Sequence, residues 1–249
     1  MRTKFDQFRE LHRPGDPLIL FNVWDAGTGV AAAKAGAKAI ATGSASVAAA
    51  NGFGDGEEVP MAFALANAER IVGAVDLPVT VDFEGGYAAD SGQLADNFAL
   101  LAATGAIGCN IEDQFVGGEG LWPVLDQCER LKVARRAVGD AFFINARTDI
   151  FLKAKPDAHD AAATDAAIER AMAYADAGAS GYFIPGLRDL DLVGRITKAS
   201  PIPVNAMWLP NGPTNRQWAD AGIARISHGP FPQMALMGTL EQMARAAMA

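Results

Sequence analysis

Short apolar runs alternate with longer amphipathic, alanine-rich segments along the whole chain. A strand buried on both faces reads as a short continuous apolar run, whereas a helix with one buried face repeats its apolar residues about every 3.6 positions. The runs predict eight strands, at Pro17–Val23, Ala39–Ser44, Leu77–Asp82, Gly108–Glu112, Phe142–Arg147, Gly181–Pro185, Ile202–Met207 and Arg225–His228. The amphipathic segments predict eight helices, at Gly27–Ala35, Met61–Val75, Gly92–Ala103, Leu125–Val138, Ala161–Ala177, Leu190–Lys198, Asn215–Ala221 and Gln233–Ala247.

A glycine follows the alanine-rich end of four helical segments, at Gly36, Gly105, Gly178 and Gly222, and an apolar run comes soon after each. Glycine commonly ends a helix because it accepts the left-handed conformation at low cost. Eight strands alternating with eight helices predict a (β/α)8 TIM barrel, and the 249 residues match the roughly 250 of one barrel. We therefore expect residues 1–249 to form a single α/β barrel domain. An open, doubly wound sheet has the same alternation but seldom needs eight units.

The composition narrows the class of protein. Hydrophobic residues make up 50% of the chain and charged residues 20%, which is enough to build a large core. The net charge of −8 argues against a nucleic-acid surface, which would need clustered lysines and arginines. No apolar run approaches the roughly 20 residues of a membrane span, and the first residues lack the apolar stretch of a secretory signal. These features favour a cytoplasmic protein.

The strongest chemical signal is a set of carboxylates at the ends of neighbouring strands. Asp82 and Glu84 are two residues apart at the end of strand 3, and Glu112 ends strand 4. In such barrels the reacting groups lie at the carboxyl ends of the strands. Three carboxylates in one small volume repel each other unless one is protonated or a cation neutralises them. Oxygen ligands without histidine favour Mg²⁺ or Mn²⁺.

Other residues at the same rim are candidates for holding an anionic substrate. Arg147 ends strand 5 and could bind a carboxylate in a bidentate way, although a salt bridge to Glu112 or Asp149 is the alternative. Small residues follow strand 2, where Gly43, Ser44 and Ala45 could present backbone N–H groups to a carboxylate or an enolate oxygen.

Two glycine-rich loops could cover this rim. Residues 51–57 follow strand 2 and carry Asp55, and residues 115–122 follow strand 4 and carry Glu119. Such loops commonly close over a bound substrate, and the second has apolar residues that could close on a ligand. We expect residues 115–122 to be the better lid, while a plain surface loop is nearly as good an interpretation of residues 51–57.

The histidines and cysteines add little chemistry. His228 ends strand 8 and is a weak candidate for a general base, since a lone histidine is more often a hydrogen-bonded rim residue. His12 has polar sequence neighbours and is expected at the surface, at the end of a short helix over Phe5–His12 that could cover the bottom of the barrel. Cys109 and Cys128 have no metal-ligand spacing.

Taken in order, the rim motifs resemble the isocitrate lyase / phosphoenolpyruvate mutase superfamily. The resemblance runs from about Phe5 to the last helix, and its most specific part is the pair Asp82-Phe83-Glu84-Gly85-Gly86-Tyr87 and Asn110-Ile111-Glu112-Asp113-Gln114. It is extended by Phe21-Asn22-Val23-Trp24-Asp25, Gly43-Ser44, Gly52, Asp55-Gly56-Glu57, Ala146-Arg147-Thr148-Asp149 and Pro203-Val204-Asn205.

The resemblance implies a role for each matched position. Mg²⁺ would bind at Asp82, with Glu84 and Glu112 engaged largely through water. The backbone of Ser44 and Ala45, with the guanidinium of Arg147, would hold the carboxylate and oxo groups of the substrate. Gly43, Asn205 and Trp24 lie in the matched motifs and are further substrate-binding candidates. Asp55 matches an acid of the mutase and hydrolase branches. The family also implies a last helix exchanged between subunits, in a homo-oligomer that is a dimer or a tetramer.

The lid departs from the pattern of the superfamily. Its lyases carry a catalytic cysteine in this loop, and its phosphonopyruvate enzymes a lysine and an asparagine. Here the loop reads Phe115-Val116-Gly117-Gly118-Glu119-Gly120, and Pro185-Gly186 replaces another expected acid or histidine. Asp55, Glu119 and Arg147 remain as candidate catalytic residues.

The sequence therefore predicts a Mg²⁺-dependent lyase, hydrolase or decarboxylase that cleaves a C–C bond in a small 2-oxo or 2-hydroxy carboxylate through an enolate. Two alternatives stay open: P–C chemistry on a phosphonopyruvate-like compound, and a barrel that binds a dicarboxylate without turning it over.

Overall fold

Parallel strands form the centre of the protein in a computed structural model that describes residues 2–249. The strands are β1 (Leu18–Leu20), β2 (Asn22–Val23), β3 (Ile40–Thr42), β4 (Val79–Asp82), β5 (Gly108–Glu112), β6 (Phe143–Arg147), β7 (Gly181–Phe183), β8 (Val204–Met207) and β9 (Arg225–Ser227). Their order in the sheet is β1-β9-β8-β7-β6-β5-β4-β3-β2, and every pair is parallel. Because β1 and β2 are the two halves of the first predicted strand, separated only by Phe21, the sheet forms a nearly closed barrel.

Helices surround this barrel. They are α1 (Lys4–Glu10), α2 (Ala26–Lys34), α3 (Ser44–Ala50), α4 (Met61–Ala74), α5 (Ser91–Ala103), α6 (Val124–Val138), α7 (Ile150–Lys153), α8 (Ala161–Asp176), α9 (Leu190–Ala199), α10 (Asn215–Asp220) and α11 (Phe231–Met248), with a 3₁₀ turn at Pro156–Ala158. The TIM-barrel prediction is confirmed, and the eight predicted helices begin and end within two residues of their predicted bounds. The four glycines that follow the helical segments, Gly36, Gly105, Gly178 and Gly222, all have positive φ, between 84° and 97°, as expected where a helix ends in the left-handed conformation.

Two short helices, α3 and α7, lie where the sequence predicts loops. Helix α3 begins at Ser44, directly after strand β3, and its first residue is bound to Asp82 on the next strand. Helix α7 has four residues and begins directly after Asp149. Helices this short have little stability of their own, so tertiary contacts decide whether they form.

Helix α1 covers the bottom of the barrel, as predicted. Its Phe8 is fully buried and meets Phe143, at the start of β6, in an edge-to-face contact of 5.2 Å between ring centroids. His12 is also buried, with its ring stacked 4.3 Å from that of Phe143, so the prediction of a surface position is wrong. Burial lowers the pKa of His12 to about 3, with a further contribution from the charge of Arg225.

The last helix, α11, projects from the barrel. Only Pro232 and Gln233 of its 18 residues are buried. Large apolar side chains along the rest are exposed, at Met234, Leu236, Met237, Leu240, Met243 and Met248. Among residues 2–249, no helix has both the length and the apolar character needed to cross a membrane.

Candidate active site

Asp82, at the carboxyl end of β4, lies at the centre of the candidate site. Its Oδ2 accepts hydrogen bonds from the backbone N–H of Ser44 at 3.1 Å and from the Ser44 hydroxyl at 3.0 Å. Its Oδ1 accepts one from the Asn110 amide of β5 at 3.2 Å. Three donors, two from Ser44 at the start of α3 and one from Asn110 on β5, therefore fix the orientation of this carboxylate, and none of them is a cation.

Glu84 follows two residues later, but its carboxylate binds the loop after α3. Its Oε2 accepts from the backbone N–H groups of Gly56 at 2.9 Å and Glu57 at 2.6 Å, and its Oε1 accepts from the Tyr87 hydroxyl at 3.2 Å. Burial raises the pKa of Glu84 to about 7, with the charges of Asp82 and Asp55 acting in the same direction. Glu84 has an unusual left-handed backbone with φ 49°, and a strained residue of this kind is often found at a functional site.

Glu112 and Arg147 form a buried ion pair at the ends of β5 and β6. Arg147 Nη1 lies 2.8 Å from Glu112 Oε2, and its Nε and Nη2 donate to the two carboxylate oxygens of Asp149 at 2.6 and 3.1 Å. Gln114 donates to the other oxygen of Glu112. The salt-bridge alternative for Arg147 is thus present, yet these contacts use three of its five N–H groups and leave two for a ligand.

Asp55 reaches the same site from the loop after α3. Burial raises the pKa of Asp55, and the charge of Asp82 raises it further, whereas a hydrogen bond with Ser44 and the charge of Arg147 lower it. The side chain of Asp55 is exposed, and the backbone N–H groups of the next two residues, Gly56 and Glu57, bind Glu84. The loop at 51–57 is therefore part of the site.

The donor set fits a hard divalent cation, although not as a cage of three protein ligands. Within residues 2–249, no group of three or more His, Cys, Asp or Glu side chains is arranged to hold a metal ion. Mg²⁺ commonly keeps several waters and binds proteins through only one or two carboxylates together with the substrate. Asp82 suits the direct position because it is oriented without a cation, whereas Glu84 and Glu112 are each engaged with other groups.

The remaining predicted residues lie in four settings. Gly43 and Ala45 belong to the first turn of α3, which has no side-chain cap, so the Ala45 N–H is one of the amides without a partner inside the helix. Asn205 points into the barrel, where its amide donates to the Ser227 hydroxyl at 3.2 Å. Trp24 is buried and lines a groove of about 840 Å³ between α2 and α11. Glu119 is exposed in the lid loop.

Sequence reasoning missed several polar residues of the site. Asn110 holds Asp82 and accepts from Arg225, a fully buried arginine near the barrel axis. Glu57 and Arg130 hold the turn after β4, as described below. Glu57 belongs to the motif Asp55-Gly56-Glu57, which could have indicated it. Nothing in the local sequence around Arg130 or Arg225 distinguishes either arginine from a surface cation.

The comparison with known proteins agrees with this geometry. A family model described as phosphoenolpyruvate phosphomutase matches residues 8–248, which is nearly the whole chain. The chain belongs to this family. The Mycobacterium tuberculosis (strain H37Rv) protein Rv1998c is 33% identical over 241 residues, which cover 96% of this chain and 88% of that protein.

Solved structures of this family share the fold. A Burkholderia cenocepacia J2315 protein, provisionally described as a phosphonomutase, superimposes with a TM-score of 0.95 at 49% identity, covering 98% of both chains. A phosphonopyruvate hydrolase in complex with oxalate and Mg²⁺ superimposes with a TM-score of 0.85 at 19% identity, covering 99% of this chain and 88% of that one. At that identity the likeness to the hydrolase concerns the fold alone.

Proposed function

We propose that this protein is a Mg²⁺-dependent enzyme that cleaves a C–C bond beside the carbonyl or hydroxyl group of a small 2-oxo or 2-hydroxy carboxylate. The observation that carries the proposal is the single oriented carboxylate of Asp82, beside Asp55 and close to a guanidinium. Family membership supports the class of chemistry, since the phosphonopyruvate hydrolase structure contains Mg²⁺ and the small dicarboxylate oxalate.

Different residues would bind the substrate and stabilise the charge that develops on it. Arg147, with two free N–H groups, would bind the carboxylate of the substrate, and the Ala45 N–H would donate to its oxo group. When bound at Asp82, Mg²⁺ would supply Lewis-acid stabilisation of the negative charge that develops on the enolate oxygen. Glu84 and Glu112 would act on the metal through water, while their protein partners hold them in place.

Asp55 would transfer the proton. The enolate formed by bond cleavage needs an acid to protonate its carbon, and a hydroxy substrate needs a base to remove its proton. Burial and the neighbouring charge of Asp82 raise the pKa of Asp55 toward the range where a carboxyl group can do both. Asp55 and Glu119 are both exposed, but Glu119 has no hydrogen bond or ion pair with the rest of residues 2–249, whereas Asp55 interacts with Asp82, Ser44 and Arg147.

A second candidate is P–C bond cleavage on a phosphonopyruvate-like substrate, because the matched family model and the Burkholderia relative both bear phosphomutase-type descriptions. It would use the same Asp82 and Arg147, since both reactions release the same kind of enolate. The two differ in the fragment split from the enolate, which is a carbonyl compound or CO₂ in C–C cleavage and a phosphoryl group taken up by water or a substrate oxygen in P–C cleavage.

We also propose a homo-oligomer in which α11 packs against another subunit. The apolar side chains of α11 are exposed, and the groove of about 840 Å³ beside its first turns is lined mostly by apolar residues. A contiguous apolar surface of this kind marks an interface. Light scattering should give a multiple of 26.0 kDa, and Leu240→Asp with Met243→Asp should reduce it.

A substrate panel tests the proposed function. Oxaloacetate, alkylated malates, methylisocitrate and phosphonopyruvate would each be incubated with Mg²⁺ or Mn²⁺, while pyruvate, glyoxylate, oxalate, CO₂ and phosphate are measured. C–C products that disappear with EDTA are expected. Phosphate from phosphonopyruvate alone would favour the second candidate. Tight oxalate binding without any turnover would reject both and indicate a binding protein.

A further inference from the structure

Three separate segments meet at Gly85, in the turn after β4. A Cβ added there would lie 2.8 Å from Val116 Cγ2 of the lid loop and 3.0 Å from Glu57 Oε1 of the loop after α3. The first distance is shorter than real Cβ contacts and the second is tighter than most of them, so a larger residue here would force the Val116 and Glu57 side chains to move. The two loops that cover the site therefore contact the same point of the barrel rim.

Glu57 holds this turn from one side. Its Oε1 accepts from the Tyr87 backbone N–H at 2.7 Å, while its own N–H donates to Glu84 at 2.6 Å. The two acids thus bind each other's backbone segments reciprocally. Glu57 and Tyr87 also have left-handed backbones, with φ 63° and 57°, a conformation that persists only where the surroundings hold it.

Arg130, on α6, holds the same turn from the other side. Its Nη1 donates to the Ala88 carbonyl at 2.8 Å and its Nη2 to the Gly85 carbonyl, while the guanidinium lies 4.7 Å from the ring centroid of Trp122, at the end of the lid. Arg130 is buried, and its Nε has no hydrogen-bond partner among residues 2–249. Burial raises the pKa of Glu57, and hydrogen bonds from Tyr87 and Gly85, together with the charge of Arg130, oppose that rise.

We propose that Glu57 and Arg130 are positioning residues that couple the loop carrying Asp55 to the lid through the turn at Gly85. Glu57 is two residues from Asp55, so fixing its backbone and side chain also restrains the segment that carries Asp55. Arg130 and Val116 transmit the position of that loop to the lid, so the two loops order together. The catalytic consequence rests on the proposed function, whereas the coupling itself does not.

Hydrogen exchange of the two loops tests the coupling without any substrate. Glu57→Gln keeps the acceptor for Tyr87 but removes the charge, and Arg130→Met keeps most of the length without the donors. Each variant should speed exchange roughly fivefold or more in both 51–60 and 115–122, with the barrel strands unchanged. The double variant should do little more than either single one. Glu69→Gln and Arg136→Met, both exposed, are the matched controls.

If each variant loosens only its own loop, or if the double variant shows the product of the two single effects, the coupling does not exist. Gly85→Ala gives a second test should Arg130→Met fold poorly: it should loosen both loops, whereas Gly73→Ala, with open space around its Cβ, should loosen neither.

The activity readout separates positioning from stability. On any substrate accepted in the panel, Glu57→Ala should lower kcat by about 10- to 100-fold, as a misplacement near 1 Å would, with the Kd of Mn²⁺ unchanged. A loss of Mn²⁺ binding in parallel with activity would mean that Glu57 acts on the metal site instead. If the panel gives no turnover, the proposed function fails, and the exchange experiment still decides the coupling.

Discussion

The two ends of the barrel, although formed by the same strands, differ in the side chains that they bury. At the carboxyl end, Asp82, Glu84 and Glu112 are each buried or half-buried and are bound by backbone groups, amides or an arginine. At the other end, Phe8 and Phe143 make an edge-to-face aromatic contact, and the nearby cation, Arg225, lies over the Phe8 ring at 6.0 Å from its centroid. Burying acids costs stability, so a protein keeps them mainly where function needs them. Strongly perturbed pKa values are for this reason common at functional sites. The rim is built for a ligand and the bottom for stability, which gives each end its own expected mutational signature.

Asp82→Asn should show the largest effect and should affect activity alone. An amide is a poor ligand for Mg²⁺, and losing the stabilisation of the developing negative charge should lower kcat/KM by about 1000-fold or more. The midpoint of urea unfolding should move much less than in Phe8→Ala, because the new amide oxygen can still accept from Ser44 and only the contact with the Asn110 amide is lost. The measurement pairs steady-state kinetics with isothermal titration of Mn²⁺. Undiminished Mg²⁺-dependent turnover would contradict the site.

Phe8→Ala should have the opposite effect, lowering stability while leaving metal binding unchanged. Truncating a fully buried phenylalanine leaves a cavity beneath the barrel and should lower the free energy of unfolding by about 3 to 5 kcal/mol. Urea denaturation followed by circular dichroism measures this loss, and Leu125→Ala, at a 79% exposed position, is the control. Below the transition the folded fraction should bind Mn²⁺ as the parent does. A changed Kd would mean that the bottom of the barrel also shapes the rim.

The free energy of unfolding should depend on pH through Glu84 at the rim. Burial raises the pKa of Glu84 from its ordinary 4.5 to about 7, so the folded metal-free protein holds a proton there that the unfolded chain has lost. The stability that the protonated Glu84 contributes is therefore fully present below about pH 4.5. It is lost as the pH rises toward 7, which lowers the free energy of unfolding by up to about 3 kcal/mol. Glu84→Gln should flatten this slope in urea titrations at pH 5, 6 and 7. Mg²⁺ should raise Tm more at pH 8 than at pH 6, because the metal displaces the proton.

The sequence predicts the rim well and the interior poorly, for one physical reason. Strand ends and closing glycines are local signals, so the positions of Asp82 and Glu112 follow from apolar periodicity alone. Partners across the barrel are not local. His12 looks like a surface residue until Phe143, far along the chain, stacks on it. Asn205 lies two residues before the end of β8, and its side chain consequently faces the interior rather than the rim.

The lid shows the same limit. A glycine-rich loop predicts mobility, but it does not say which side chain turns inward. Gly85 and Arg130 decide that, through contacts with Val116 and Trp122 that no spacing along the chain reveals. The loop judged the weaker candidate, at 51–57, is tied to Glu84 and brings Asp55 to the site.

Glu119→Gln should have the smallest effect and is the sharpest test of which loop carries the proton. Glu119 has no hydrogen bond or ion pair with the rest of residues 2–249, so replacing its carboxylate should change kcat by less than about twofold. Asp55→Asn, beside Asp82, should lower kcat by about 100-fold or more, because a positioned acid or base is worth that much. Both variants keep the size of the side chain, so their ratio compares proton transfer alone. If Glu119→Gln were the inactive one, the lid would have to swing in during turnover, and the anchored loop at 51–57 would serve only to hold the metal half of the rim.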